Sequence, residues 1–221
     1  MESNGKNIIL VGASGMIGSL VLDLCLAGNN VNRIISLVRK FSGKQHTKLT
    51  EVVVNDFTNY ETHTSCFQDV QVVFYCLGVY SGAVPKDEFR KITVDYPVSF
   101  AKALHKESPT AVFCLLSGQG ADRTEKSSIM FARDKGAAEN QLAEMGFSSF
   151  YAFRPSYIYP VEPRNEPNFS YRLMRKLYPL IKMLGKNFSI QSTELANAMY
   201  TVGMKGSKQN VFENRDILQL H

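Results

Sequence analysis

The stretch that decides the fold is Val11-Gly12-Ala13-Ser14-Gly15-Met16-Ile17-Gly18, a Gly-x-x-Gly-x-x-Gly loop. Before it, Asn7 to Val11 is a short continuous apolar run, the pattern of a strand buried on both faces. After it, Met16, Ile17, Leu20, Val21, Leu24 and Cys25 fall at helical spacing, and Gly28 is a stop signal. A glycine loop between a buried strand and an amphipathic helix suits a tight turn that lets backbone approach a pyrophosphate closely. The helix N-terminus behind it offers unpaired N–H groups and partial positive charge to an anion. All of Gly12, Ala13, Ser14, Gly15, Met16, Ile17 and Gly18 are therefore candidate cofactor contacts. Replacing Gly12 by Val is expected to remove binding and leave the protein folded.

Outward from the loop, strand and helix patterns alternate to about residue 155. Strands are expected at Arg33 to Val38, Glu51 to Val54, Gln71 to Leu77, Ala111 to Leu116 and Ser149 to Phe153. Between them come a short helix or loop (Asn59 to Asp69), a helix from about Pro85 to Lys106 and another from Ser128 to Met145. Pro97 is expected to kink the former, because it removes a backbone donor. Such alternation predicts an α/β fold: a doubly wound parallel sheet with helices on both faces. Residues 1–221 read as one Rossmann domain, with 155–205 as a substrate-side insertion and helices. A last helix (Thr193 to Lys205) and a short strand within Asn210 to Leu220 close the chain.

The corner after the second strand selects the cofactor. NAD binders commonly place an acidic residue there, but this chain has Arg39 and Lys40. Two cations suit a 2′-phosphate, so NADP is expected and NAD is the less favoured choice. Asp56, followed by Phe57, is placed to accept from an adenine amino group or simply to form a turn. Leu77 and Gly78, after the fourth strand, would border the ribose and pyrophosphate.

Composition narrows the remaining classes. With 44% hydrophobic and 20% charged residues, the chain has material for a core. Its apolar runs are too short to span a bilayer, and no signal-peptide pattern opens it. Four cysteines (Cys25, Cys66, Cys76, Cys114) stand singly without metal spacing to the four histidines, so no metal site is expected and a cytoplasmic setting is. The net charge of +5 resides between Tyr151 and Lys186, too local for a nucleic-acid binder but suited to a wall beside an anionic ligand. Within it, Ser170 to Leu184 alternates apolar and basic residues. Three readings stay open for that stretch: a lid over a substrate pocket, an amphipathic face for a membrane surface or protein partner, or a core-packed helix with a solvated basic side. A homodimer is equally open.

The glycine loop, Asp56-Phe57, Leu77-Gly78, Leu115-Leu116-Ser117 and Arg154-Pro155 resemble the atypical short-chain dehydrogenases/reductases. The group most similar is the small Tat-interacting-protein-like oxidoreductases, over most of residues 6 to 160. The resemblance implies an NAD(P)-binding oxidoreductase acting on a small carbonyl or alcohol, an anionic one suiting the basic stretch. It also implies a Ser at the end of the fifth strand and a Tyr-x-x-x-Lys pair on the next helix. The tyrosine would move the proton, the lysine would lower its pKa and bond the ribose, and the serine would orient the substrate oxygen. Ser117 and Lys135 match two of those roles, although Ser117 also reads as a polar strand end. The tyrosine position holds Phe131, which has no ionisable proton. Pro155 and Ser156 would border the nicotinamide. Tyr80, Tyr157 and Tyr159 are candidate replacements for the missing hydroxyl, each equally readable as a packing aromatic. Two functions follow: an oxidoreductase with weakened proton delivery, or a non-catalytic NADP sensor that signals to a partner.

Overall fold

The computed structural model describes residues 5–162, Tyr178 and 187–220. Its core is a seven-stranded parallel sheet: β1 (Lys6–Val11), β2 (Val31–Val38), β3 (Leu49–Val53), β4 (Val72–Tyr75), β5 (Val112–Leu116), β6 (Ser149–Arg154) and, last in the chain, β9 (Val211–Glu213). The spatial order is β3-β2-β1-β4-β5-β6-β9. The chain winds outward from β1 in one direction, then returns to wind outward from β4 in the other. A crevice opens at that reversal, outside the carboxyl ends of the strands.

Both faces of the sheet are dry, as the continuous apolar runs require. Along β1, Ile8 and Leu10 join one core cluster and Ile9 and Val11 the other. The first face is covered by α1 (Met16–Ala27) and α5 (Ser192–Lys205), the second by α3 (Tyr96–Glu107) and α4 (Met130–Ala143). Residues 192–205 were grouped above with a substrate-side segment. Instead they form α5, whose Leu195, Ala198, Met199 and Val202 are buried in the core, against α1. That apolar stripe recurs every three to four residues, and burying it outweighs any role at the cleft.

Pro97 acts differently from a simple kink. The helical run begins as α2 (Lys86–Arg90), widens into a π turn at Lys91–Asp95, and resumes as α3. The Tyr96 N–H reaches back five residues to the Lys91 carbonyl. Widening the turn ahead of a proline relieves the clash between its ring and the preceding carbonyl. The expected short helix at 59–69 is a 3-10 helix, Glu61–Phe67, and α4 is shorter at both ends than the sequence pattern. A two-stranded parallel ribbon, β7 (Tyr157–Tyr159) with β8 (Ser189–Gln191), follows β6. A four-residue α6 (Asn214–Ile217) follows β9. Most of the basic stretch from Ser170 to Leu184 lies outside the described residues. Among the described residues no helix is long and apolar enough to cross a membrane.

Candidate functional site

At the end of β1 the backbone turns with Gly12 at φ +91°, a conformation that side chains resist. A Cβ there would come within 2.6 Å of the Leu77 nitrogen and 2.7 Å of the Cys76 carbonyl carbon. Gly12 thus lets β1 and β4 close on each other, and its replacement would disturb the fold as well as any ligand. The expectation of a folded Gly12→Val variant is corrected accordingly. Gly18 is tighter still: its Cβ would meet the Gly12 carbonyl oxygen at a distance no atoms tolerate. Gly15 is different. It caps α1 with φ −81°, lies exposed, and its Cβ would touch only the Gly12 oxygen at 3.2 Å. Gly15 has no side chain to cap α1 and the first turn holds no acid, so beyond the Gly15 N–H, which bonds the Gly12 carbonyl, the first-turn N–H groups have no side-chain cap among the described residues. Ser14 is exposed beside them, while Ala13 and Ile17 pack inward.

A cleft of about 340 Å³ opens at this edge of the sheet. It gathers Gly15, Met16 and Ile17 from α1, Leu77 and Gly78 after β4, Ser117 after β5, Phe131 and Lys135 from α4, and Pro155 and Ser156 after β6. A Cβ on Gly78 would meet no protein atom, so the space beside it is open to a ligand. Bare glycines at a helix start, with open space at Gly78, fit a dinucleotide lying across the strand ends. Tyr80 and Tyr157 also line the cleft. Tyr159 does not; its ring stacks on Tyr178 at 3.7 Å between centroids, as a packing aromatic.

The expected adenine end is less built. Arg39 and Lys40 follow β2 at the same edge, are exposed, and make no ion pair among the described residues. Asp56 Oδ1 accepts from the Thr58 N–H at 2.8 Å and from its hydroxyl at 2.6 Å, the turn-forming arrangement. Those bonds hold its carboxyl below the ordinary range. The Phe57 ring is buried against Tyr60 and Tyr96, so it is its backbone that reaches this edge. None of these four residues lines the cleft.

The α4 wall holds what the sequence did not disclose. Glu139, one turn after Lys135, is completely buried. Its Oε1 accepts from the Ser117 hydroxyl at 2.6 Å and from Arg154 Nε at 2.9 Å. Its Oε2 accepts from Arg154 Nη2 at 2.6 Å and Arg123 Nε at 2.8 Å. Arg154 also donates to Glu213 on β9 at 2.9 Å. Burial alone would raise the Glu139 pKa, but the hydrogen bonds from Arg154, Ser117 and Arg123 outweigh it and hold the group ionised. Glu139 thus ties the ends of β5, β6 and β9 to α4. Lys135 keeps part of its surface on the cleft while its ammonium lies deep, donating among the described residues to the Leu116 carbonyl at 3.4 Å. Desolvation pulls its pKa down from 10.5 to about 8, against an opposing pull from Glu139. The Phe131 ring sits over Gly118, where a Cβ would come within 2.5 Å of Cζ. The tip of that ring lies beside Gly118, and both residues line the cleft.

Comparison with known proteins agrees with this geometry. The chain is 27% identical to Protein HTATIP2 of Rattus norvegicus over 225 residues, 99% of this chain and 90% of that one. It is 30% identical to Protein fmp52, mitochondrial, of Emericella nidulans over 158 residues, 69% of this chain and 66% of that one. Among solved structures, a short chain dehydrogenase family protein from Francisella tularensis superposes with a TM-score of 0.67 at 16% identity, covering 95% of this chain and 96% of that one. The chain belongs to the atypical short-chain dehydrogenases/reductases. Gre2 of Candida albicans in complex with NADPH shares the fold at TM-score 0.71 and 15% identity, over 94% of this chain and 78% of that one. WbmH of Bordetella bronchiseptica in complex with NAD+ does so at 0.70 and 17%, over 94% and 75%. No family model matches the chain. On α4, Phe131 stands one turn before Lys135.

Proposed function

We propose that this chain binds NADP(H) across the strand ends and acts as an oxidoreductase on a small carbonyl or alcohol, with proton delivery weakened by Phe131. One observation carries the reading: the α1 start, Gly78, Ser117 and Lys135 meet in a single cleft. A bound nicotinamide supplies or accepts hydride. The first turn of α1 would hold the pyrophosphate by its N–H groups, and Arg39 with Lys40 would pair with the 2′-phosphate. Lys135 would bond the ribose and lend positive charge to a developing oxyanion. Gre2 with NADPH and WbmH with NAD+ stand for the two cofactor choices that this fold admits; the basic corner favours the phosphate-bearing one. Four free cysteines, three of them buried, suit a reducing compartment. The cytoplasm is our choice, and the mitochondrial label of the fungal relatives makes the matrix the alternative.

A second reading, a cofactor sensor without turnover, is favoured by the Ser117 hydroxyl. Its proton points at Glu139 rather than at a substrate oxygen. Restoring the lost group separates the two. Phe131→Tyr, followed by NADPH oxidation over aldehydes, ketones and quinones, is expected to raise turnover towards the roughly 10²- to 10⁴-fold worth of an acid–base group. Tight NADPH binding with no turnover from either protein would select the sensor.

A further inference from the structure

Lys135 is the only cationic side chain among the described residues that line the cleft. It has no carboxylate within ion-pair distance among the described residues, because Glu139 already spends both oxygens on Ser117, Arg123 and Arg154. Met16, Ile17, Phe131 and Ile158 make the cleft largely apolar. The other groups around the amine do not restore its charge. The Cys76 thiol after β4 is kept protonated by burial, and Tyr80 and Tyr157 line the same cleft. Arg123 and Arg154, behind Glu139, are cations. An ammonium so placed loses its proton readily. With its pKa near 8, about a tenth of Lys135 is neutral at pH 7, against under about 0.1% for a solvated lysine.

We propose that Lys135 is a nucleophilic amine that captures small aldehydes with apolar tails, forming an imine inside the cleft. The neutral nitrogen attacks the carbonyl carbon, and the C–N bond forms as the carbonyl π pair moves to oxygen. Both amine protons pass to that oxygen, which leaves as water while the C=N bond closes. No oxidant or reductant takes part. A desolvated lysine in an apolar pocket is the setting in which amine nucleophiles work at neutral pH. The activity goes beyond cofactor binding and shares with that reading the cleft and Lys135.

The test exposes the full chain to hexanal at pH 7 with cyanoborohydride, which fixes imines as secondary amines, and maps the modified lysines by mass spectrometry. Lys135 is expected to label at least about ten-fold faster than the mean exposed lysine, with a rate that levels off above about pH 8 while the others still climb. Lys135→Arg, folded by circular dichroism, is expected to lose that peptide's label and no other. Should the variant not fold, the pH profile of the wild-type peptide decides alone. Labelling of Lys135 no faster than the exposed lysines, in folded protein, overturns the proposal. Saturating NADPH is expected to protect Lys135. Fast labelling without protection leaves the amine standing and counts against the cofactor reading, whereas no enrichment with calorimetric NADPH binding intact counts against the amine alone.

Discussion

Along α1 the cleft is walled by Gly15, Met16 and Ile17, with Gly12 and Gly18 behind them keeping the backbone close. Along α4 it is walled by side chains, Phe131 and Lys135 in front of a buried Glu139. Gly12 and Gly18 cannot change without disturbing the sheet, because a Cβ at either meets backbone. Phe131 and Lys135 can change while Glu139 and Arg154 still hold the strand ends in place. Chemistry at this site is therefore free to change where the fold does not depend on it.

The largest effect should separate the glycines from one another. Gly18→Val puts a branched side chain into the Gly12 carbonyl and should cost about 3 kcal/mol or more in urea unfolding. Gly15→Val meets one contact at 3.2 Å and should change stability by less than about 1 kcal/mol. It should still weaken NADPH at least about ten-fold by covering the first turn of α1. Equal loss of stability in both variants would break the division of labour within the loop.

The side-chain wall should answer to pH. In the folded chain the Lys135 pKa is near 8, below its ordinary 10.5. Below pH 8 the group is charged in both states and the folded state bears the desolvation cost. Between the two values the unfolded chain binds more protons, so stability rises with pH across that window. Lys135→Met should therefore stabilise the protein at pH 7 by up to about 3 kcal/mol, and the advantage should vanish by about pH 10.5. Urea melts of both proteins at pH 7, 8.5 and 10.5 would show it. A gain that stays constant across that range would mean better packing rather than relief of a buried charge.

The two walls also differ in how much of them the sequence discloses. A glycine loop between Ile8 to Val11 and the apolar stripe of α1 is a local requirement, so order, fold and candidate phosphate loop could be read directly. Lys135 and Phe131 were reachable through the i, i+4 spacing that the family uses. Glu139 was not, although it repeats the same spacing one turn on. A glutamate on a helix reads as solvated surface until the partners that bury it, Arg123 and Arg154, are brought over from a loop and from β6. The Ser117 hydroxyl direction depends on that same cluster. The Phe57 ring shows the converse: its position after β3 suits an adenine, but two neighbouring aromatics, Tyr60 and Tyr96, bury the ring. The small ribbon of β7 and β8 pairs residues 32 positions apart in sequence, and three-residue strands carry no period of their own.

The account stands or falls on what enters the cleft, and calorimetric titration of the wild-type chain with NADPH and NADH measures that directly. One site per chain is expected, with NADPH favoured by about 1.5 to 3 kcal/mol through charge-assisted bonds from Arg39 and Lys40. Arg39→Ala should remove most of that preference while leaving NADH affinity near its original value. Absence of binding by either nucleotide, or equal affinities that Arg39→Ala leaves unchanged, would contradict the account.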